Sequence, residues 1–568
     1  MEKRVVIAIG LSIAILFGFR YYEEYRAAEL AKHRPSVTQS APTPALPTTA
    51  PPTPAPAVPK PVAAAPPAQA PVEAPPEEQV PERQIVIDGK LYRAVLDNHG
   101  GILMSWQLKQ FRTSKGDVFD MVASAHMDER PFPASLSFDD PALTALANQQ
   151  NYSVEVLNGK DDGTALTAPA TVVMRLRRGD VIIEKRFQFE DQNYVVAFSA
   201  TFQRGNQSLH GRVLLGQDIG PEQEHLVNRS AQLQAIADLG GSVSRYSGPK
   251  DENEIKATSG DVLWVGLDMQ YFAEIAIPPQ PVHVFEIQRR PVKATDLGGQ
   301  EVARDLIRVT VPADGAADYR IYLGPKLSTY LGTVPGADLS GVINYGWLAI
   351  IVIPLLSALR FINQFTNNYG LAIILLTLIL TLLLFPIRLK QLTSMKKMQK
   401  LQPKVKEIQD RYKRYKKTDP KRAEMNQEVM ALYKEHNVNP LGGCLPLLLQ
   451  MPLLIAFYRL LGTAIELRQA PFVGWLHDLA AKDPYYILPI TMGVAMLISQ
   501  KMTPMSPGTD ETQAKMMMIM PVVFTVFFLN VSSGLNLYFL CSNVFQIAFQ
   551  KIAERWMGDQ RSGRKSKG

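Results

Sequence analysis

The sequence predicts an α-helical membrane protein of several spans that carries a large all-β domain outside the membrane. Three observations support this. Long apolar runs lie near the N-terminus and after residue 340, residues between them alternate apolar and polar, and a basic segment separates two apolar runs. Alternation with a period of two is typical of half-buried strands, and long apolar runs are typical of membrane helices. The two cysteines, Cys444 and Cys541, both lie in apolar runs, so they predict neither a disulfide framework nor a metal site.

Residues 1–22 are predicted to form an N-terminal transmembrane anchor. The apolar stretch Val5 to Phe19 follows "MEKR", and the charged stretch after it has no small-residue cleavage site at the right distance, which argues against a cleaved signal peptide. Residues 23–83 are rich in proline and alanine and cannot bury enough apolar surface to fold. We expect them to form an extended tether.

Residues 84–327 are predicted to form a β-sandwich. The segment "TVVMRLRRGDVIIEKRFQFE" indicates two strands joined at Arg-Gly-Asp, and "NYVVAFSATFQ", "DLIRVTVPADG" and "DYRIYLGPK" indicate further strands. Period-two alternation between turn residues favours antiparallel pairing. A sugar-binding or epimerase domain would need clustered histidine and acidic residues, which the spacing does not show.

The membrane part is predicted to contribute five further crossings, which makes six with the anchor. Residues 343–362 are expected to lie flat at the outer interface, anchored by Trp347. A crossing helix needs about 20 apolar residues. The expected crossings are residues 368–387, 439–462, 485–501, 515–531 and 534–551.

A basic helical hairpin is predicted between the first two of these five crossings. Residues 388–437 contain fifteen Lys/Arg and six Asp/Glu, and apolar residues recur there at helical spacing. Basic loops of membrane proteins face the cytoplasm. We therefore expect the hairpin, the basic tail 558–568 and both termini in the cytoplasm, and the β domain on the outer side.

The residues themselves predict a binding or transport role rather than catalysis. The sequence contains no P-loop, HExxH or GxSxG motif, so we expect no enzyme activity, cofactor or metal. Polar residues do interrupt the apolar helices. They either join helices by hydrogen bonds or line a hydrophilic groove, and both readings stay open. The candidates are Thr377, Thr381, Arg388, Gln450, Tyr538 and Ser542.

The segments "MALYKEHNVNPLGGCLPLLLQMP", "IELRQAPF", "DPYYILPI", "QKMTP" and "SSGLNLY" resemble the YidC/Oxa-type family of membrane protein insertases. The resemblance implies insertion and folding of nascent membrane proteins, alone or with the Sec translocon, in the inner membrane of a Gram-negative bacterium. It implies a periplasmic β-supersandwich, a five-helix core with a groove, and a hairpin that recruits substrate. Further implied partners are the ribosome, the signal-recognition-particle receptor and the lipid bilayer, but not DNA. The hairpin residues expected to contribute are Met395, Lys396, Met398, Met425 and Met430.

One position departs from the family pattern. Family members carry a basic residue midway along the helix that follows "NYG", and Thr381 stands there in this sequence. Arg388 lies seven residues further on nearly the same helix face, so it is either a partial substitute at the groove rim or a side chain that extends to the inner interface. The competing function is that of a polytopic transporter or lipid scramblase, which would use the same groove for small solutes or lipid.

Overall fold

The computed structural model describes residues 80–122, 132–159, 164–220, 233–251, 254–295, 301–415, 419–436, 445–502 and 511–565. The predicted anchor, residues 1–22, lies outside these ranges, as do Cys444 and nearly all of the predicted tether. The contacts described below join residues of one compact unit, within 80–508 and 520–565.

The predicted β domain is confirmed as a domain built of two sheets, whose strands pair antiparallel except for the first and the seventh. Its strands are β1 Gln84–Asp88, β2 Tyr92–Asp97, β3 Ile102–Arg112, β4 Val118–Asp120, β5 Leu136–Phe138, β6 Ser153–Asn158, β7 Leu166–Thr167, β8 Ala170–Arg178, β9 Val181–Phe189, β10 Val195–Arg204, β11 Gln207–Ser208, β12 His210–Gly216, β13 Gln234–Leu239, β14 Ser242–Tyr246, β15 Ile255–Asp268, β16 Phe272–Ile277, β17 Val282–Thr295, β18 Glu301–Asp314 and β19 Ala316–Pro325.

The strands form two sheets. One has five strands in the order β4-β3-β2-β1-β7, and the other has fourteen, with the main order β5-β12-β18-β17-β15-β16-β19-β10-β9-β8-β6. The predicted hairpin around Arg-Gly-Asp is β8–β9, with Arg178 opposite Val181 and Gly179 at φ 57°. The sheets meet in one apolar core, where Trp106 stacks on Tyr92 at 4.0 Å and lies 6.3 Å from Phe189 of the larger sheet.

Nine α-helices lie in the described residues. They are α1 Pro141–Gln149, α2 Ser328–Leu331, α3 Ala349–Thr366, α4 Tyr369–Arg411, α5 Lys421–Glu435, α6 Leu445–Thr463, α7 Ile487–Met502, α8 Glu511–Phe528 and α9 Ser533–Lys565. The sequence pattern did not predict α1 inside the β domain. Local residues stabilise its N-terminus: the Asp140 side chain accepts a hydrogen bond from the Ala142 N–H, and Pro141 occupies the first turn.

Two helical stretches of the described residues are long and apolar enough to cross a bilayer, Gly346–Thr366 and Tyr369–Arg411, while Ile487–Met502 and Met518–Phe528 are shorter apolar helices. The number of crossings and the flat placement of residues 343–362 therefore stay predictions. One face of α3 packs against the other helices through Val352 and Leu359, and its opposite face exposes Ile350 and Phe365.

The helical core is sealed by apolar packing at one end. Near the start of α4 and α9, and near the end of α6, large side chains are almost fully buried. They are Ile373, Leu376, Leu535, Phe457, Leu460 and Leu461. A second small core joins α4 to α5, where Met398, Leu401, Val405 and Tyr433 pack together. The predicted helical hairpin is thus present, and α4 runs without a break from the apolar core into it.

Candidate functional site

A cluster of polar side chains joins α4, α6 and α9 just beyond the sealed end. Arg388 of α4 donates one hydrogen bond to Gln546 Oε1 of α9 at 3.1 Å and another to Gln450 Oε1 of α6 at 3.2 Å. Gln450 Nε2 lies 3.2 Å from the Tyr538 hydroxyl, which accepts its hydrogen bond. We call these four residues the polar cluster; three of them, Arg388, Gln450 and Tyr538, were predicted as site residues.

The spacing of polar residues along each helix explains why they meet. Tyr538, Ser542 and Gln546 are four residues apart, so they share one face of α9. That helix packs against α4. Ser542 is buried on this face, one turn from Tyr538. Gln546 was not predicted as a site residue, although its position two turns after Tyr538 was a usable signal.

Thr377 and Thr381 are buried on α4 and bond their own helix. The Thr377 hydroxyl donates to the Ile373 carbonyl at 2.6 Å, and the Thr381 hydroxyl donates to the Thr377 carbonyl at 2.7 Å. Threonine in a helix interior often bonds the carbonyl four residues earlier. Their hydroxyl protons are therefore used within α4, and neither residue joins the polar cluster by a hydrogen bond in the described contacts.

The positively charged guanidinium of Arg388 is hydrogen-bonded to neutral partners. Its two described side-chain contacts are amide oxygens, and none of the ion pairs among the described residues includes it. The guanidinium is half-buried, as are both glutamines. A partly desolvated cation without a carboxylate partner is complementary to an anionic group of a ligand.

The polar cluster is bounded on one side by stacked aromatic rings. Tyr538 stacks on Phe457 with ring centroids 3.9 Å apart and an interplanar angle of 12°. Along α6, Gln450 lies near the first turns, and Phe457 lies two turns later, where burial becomes complete. On all three helices the polar residues therefore lie toward the hairpin end, and the sealed apolar residues lie toward the β domain.

The loop after α6 fixes the β domain against the helical core. Arg468 lies over the rings of Phe119 and Phe272, 5.3 and 5.5 Å from their centroids, and these two rings stack on each other. Gln469 Nε2 donates to the carbonyls of Arg112 and Thr113, both at 2.9 Å. Sequence reasoning missed this contact surface, although "IELRQ" places three long polar side chains, Glu466, Arg468 and Gln469, just after α6.

The same loop also holds α3. Arg360 of α3 donates to Glu466 Oε1 at 2.7 Å and to the Ser328 hydroxyl at 3.1 Å. The Glu466 side chain is 13% exposed and the Arg360 side chain is 32% exposed, so this ion pair is partly shielded from water. The sealed end of the helical core therefore includes α3, the loop and the base of the β domain.

The predicted hairpin residues differ in how far their side chains are exposed to solvent. Met398 is buried in the small core between α4 and α5, and Met425 is also buried, whereas Met430 is 46% exposed and Lys396 is half-buried. The Met395 side chain lies outside the described residues. In this conformation, the apolar surface available at these described positions comes from Met430, and Met398 packs in the core that joins the two hairpin helices.

The comparisons with known proteins agree with this architecture. The family described as "YidC periplasmic domain" matches residues 84–358, and the family "60Kd inner membrane protein" matches residues 361–560. The chain is 34% identical to the membrane protein insertase YidC of Geotalea daltonii, over 97% of this chain and 98% of that one. It is 35% identical to the same-named protein of Citrifermentans bemidjiense, over 98% of this chain and 100% of that one.

A crystal structure of an active YidC insertase with its first transmembrane domain resolved is 18% identical, covers 83% of this chain and 93% of its own, and has a TM-score of 0.35. The family matches follow one another along the chain, as the β domain and the helical core do. Because these matches and the two full-length relatives cover nearly the whole sequence, the chain belongs to the YidC family of membrane protein insertases.

Proposed function

We propose that this protein inserts nascent membrane proteins into the bilayer by holding their polar tails briefly at the polar cluster. The observation that carries the proposal is Arg388, a cation set among apolar helices and contacted by two neutral amides. An unpaired polar group costs several kcal/mol in hydrocarbon, roughly 2–7 by transfer measurements. Hydrogen-bonding side chains at membrane depth lower that cost for a passing tail.

The direction of entry follows from the two ends of the helical core. Apolar packing seals the end beside the β domain, and half-buried polar residues lie toward the hairpin. With the basic hairpin on the cytoplasmic side, a tail would enter from the cytoplasm, while its apolar segment moves sideways into lipid. The β domain would then be periplasmic, both termini cytoplasmic, and the membrane the inner membrane of a Gram-negative bacterium.

The hairpin supports the capture of substrate before insertion. Its fifteen Lys/Arg and six Asp/Glu give a net positive charge greater than the +7 of the whole chain, and the exposed Met430 adds an adaptable apolar contact. Such a surface suits nascent chains of varied sequence and the anionic rRNA of a translating ribosome. We include the Sec translocon and the signal-recognition-particle receptor in the proposal as partners, with no cofactor, metal or enzymatic step.

Reconstitution tests the proposal. Purified protein in liposomes receives a small newly made membrane protein, and insertion is measured as protection from added protease. We expect protection that depends on the protein, and liposomes without it serve as the control. A fluorescent-lipid transbilayer assay on the same liposomes tests the competing function. Rapid lipid exchange without any protection of the substrate would favour a scramblase.

A further inference from the structure

A cleft of about 370 Å³ lies on the β domain, between the face of the larger sheet and the chain segment that leads toward α3. Its sheet side includes Asp238, Val243 and Trp264, and its other side includes Ala337 and Asp338. The volume falls at the lower end of the range of small-molecule sites, roughly 300–1,000 Å³. The cleft lies apart from the helices of the polar cluster.

Strand register explains why Asp238 points into this cleft. Asp238 of β13 is directly opposite Val243 of β14 and Trp264 of β15. Directly opposite residues of antiparallel strands project to the same face of a sheet. The segment that covers this face approaches closely, since a Cβ on Gly341 would lie 2.5 Å from Val243 Cγ2. Asp238 is therefore enclosed by its neighbours rather than directed to open solvent.

Asp238 is 6% exposed, and its Oδ1 atom is buried with no hydrogen-bond partner in the part of the chain that the structure describes. Buried polar atoms in native structures are nearly always partnered, so each exception needs a physical reason. Asp268, at the other end of the same strand pair and equally buried, shows the usual solution. Arg245 and Lys326 contact its two oxygens at 2.8 and 2.7 Å. The fold thus neutralises one buried carboxyl internally, and no cation among the described residues pairs with the other.

The remaining lining of the cleft favours a cation with an apolar body. Asp338 supplies a second carboxylate, and the Ser340 N–H that donates to it at 2.9 Å lowers the pKa of that carboxyl. None of the residues lining this cleft is basic. Leu263 and Pro279 provide exposed apolar wall, which suits the methylene groups that accompany an ammonium head.

We propose that this cleft binds an alkylammonium group, with the Asp238 carboxylate accepting a hydrogen bond from the ammonium and the apolar walls covering its methylene stem. Such a group is carried by a lysine side chain of an extended peptide or by a free aliphatic amine. A single orphaned oxygen suits the point charge of an ammonium better than the planar fork of a guanidinium. The site neither uses nor requires the polar cluster, so it adds a ligand function to the β domain.

Titration calorimetry on the purified full-length protein tests this with three probes. These are pentylamine, an end-blocked Ala-Ala-Lys-Ala-Ala peptide, and the same peptide with acetylated lysine. We expect saturable binding of at least one amine probe and at least about tenfold weaker binding of the acetylated peptide than of its amine twin, because a charge-assisted hydrogen bond is lost. Binding of pentylamine alone assigns a free amine, and much tighter binding of the peptide assigns a polypeptide ligand.

Asp238→Asn keeps the size of the side chain and removes its charge, so it should weaken amine binding at least about tenfold. Asp261→Asn is the matched control, since that carboxyl is 75% exposed on β15 and does not line the cleft. The thermal unfolding of both variants is measured alongside. If Asp238→Asn does not fold, the binding of the acetylated and free peptides to the native protein decides the test. The proposal is wrong if no amine probe binds saturably, if acetylation makes no difference, or if a folded Asp238→Asn binds as the native protein does.

Discussion

Replacing Arg388 by glutamine should slow the insertion of substrates with acidic tails far more than that of substrates with neutral tails. The change removes the charge and leaves a polar side chain beside Gln450 and Gln546, which now contact Arg388 at 3.2 and 3.1 Å. A hydrogen bond to a charged group contributes about 1.5–3 kcal/mol. Since about 1.4 kcal/mol corresponds to a factor of ten, acidic-tail insertion should fall roughly tenfold to a hundredfold.

The assay measures initial rates of protease protection in liposomes for one substrate with an acidic tail and its neutral twin. Lys390→Gln is the matched control, because Lys390 is an exposed basic residue two positions further along α4. We expect that control to change neither rate and Arg388→Lys to retain most acidic-tail insertion. Equal slowing of both substrates by Arg388→Gln would show a structural defect instead, and no slowing would refute a role for this charge.

A second-site variant tests whether the position of the charge matters. Thr381→Arg in the Arg388→Gln background returns a cation to the same helix face, about 10 Å nearer the sealed end. Thr381 is 4% exposed and bonds the Thr377 carbonyl at 2.7 Å, so an arginine there must displace its neighbours. We expect partial recovery of acidic-tail insertion. Full recovery would mean that the helices open more readily than their packing indicates.

Three further results are expected. Removing residues from Lys396 to Lys434 should abolish insertion. The thermal unfolding of the membrane core should stay unchanged, because the hairpin has its own small core. Normal insertion by the shortened protein would contradict a role of the hairpin in insertion. Gly493→Ala should lower the free energy of unfolding by about 1–3 kcal/mol, since its Cβ would lie 2.1 Å from Thr525 Oγ1, and Thr525→Ala in the same chain should restore stability. Burial lowers the pKa of Lys185 from 10.5 to about 7. Between these two pH values Lys185 is protonated in the unfolded chain and neutral in the folded protein, so the free energy of unfolding should rise with pH across that window. The rise should be smaller in Lys185→Met, measured by thermal unfolding, and an identical pH profile would rule out this contribution.

Local chemistry made much of the β domain predictable. The β8–β9 hairpin follows from two alternating runs and one glycine at positive φ, and all of that information lies within twenty residues. Other pairings depend on distant segments. The strand β15 pairs with β17 along its first part and with both β13 and β16 along its last part, and β1 pairs in parallel with β7. No local pattern encodes such partners, because they depend on how the whole sheet closes.

The polar residues within the apolar helices, and those among them that share a helix face, can be identified along the chain, because a helix repeats its faces every three to four residues. Which of these residues meet depends on how the helices pack against one another. Arg388 gains its partners from two other helices, whereas the Thr381 hydroxyl turns back to its own backbone. The same holds for Asp238, which is an ordinary strand residue in the sequence. It becomes a candidate ligand-binding group only because a distant segment covers it without supplying a cation.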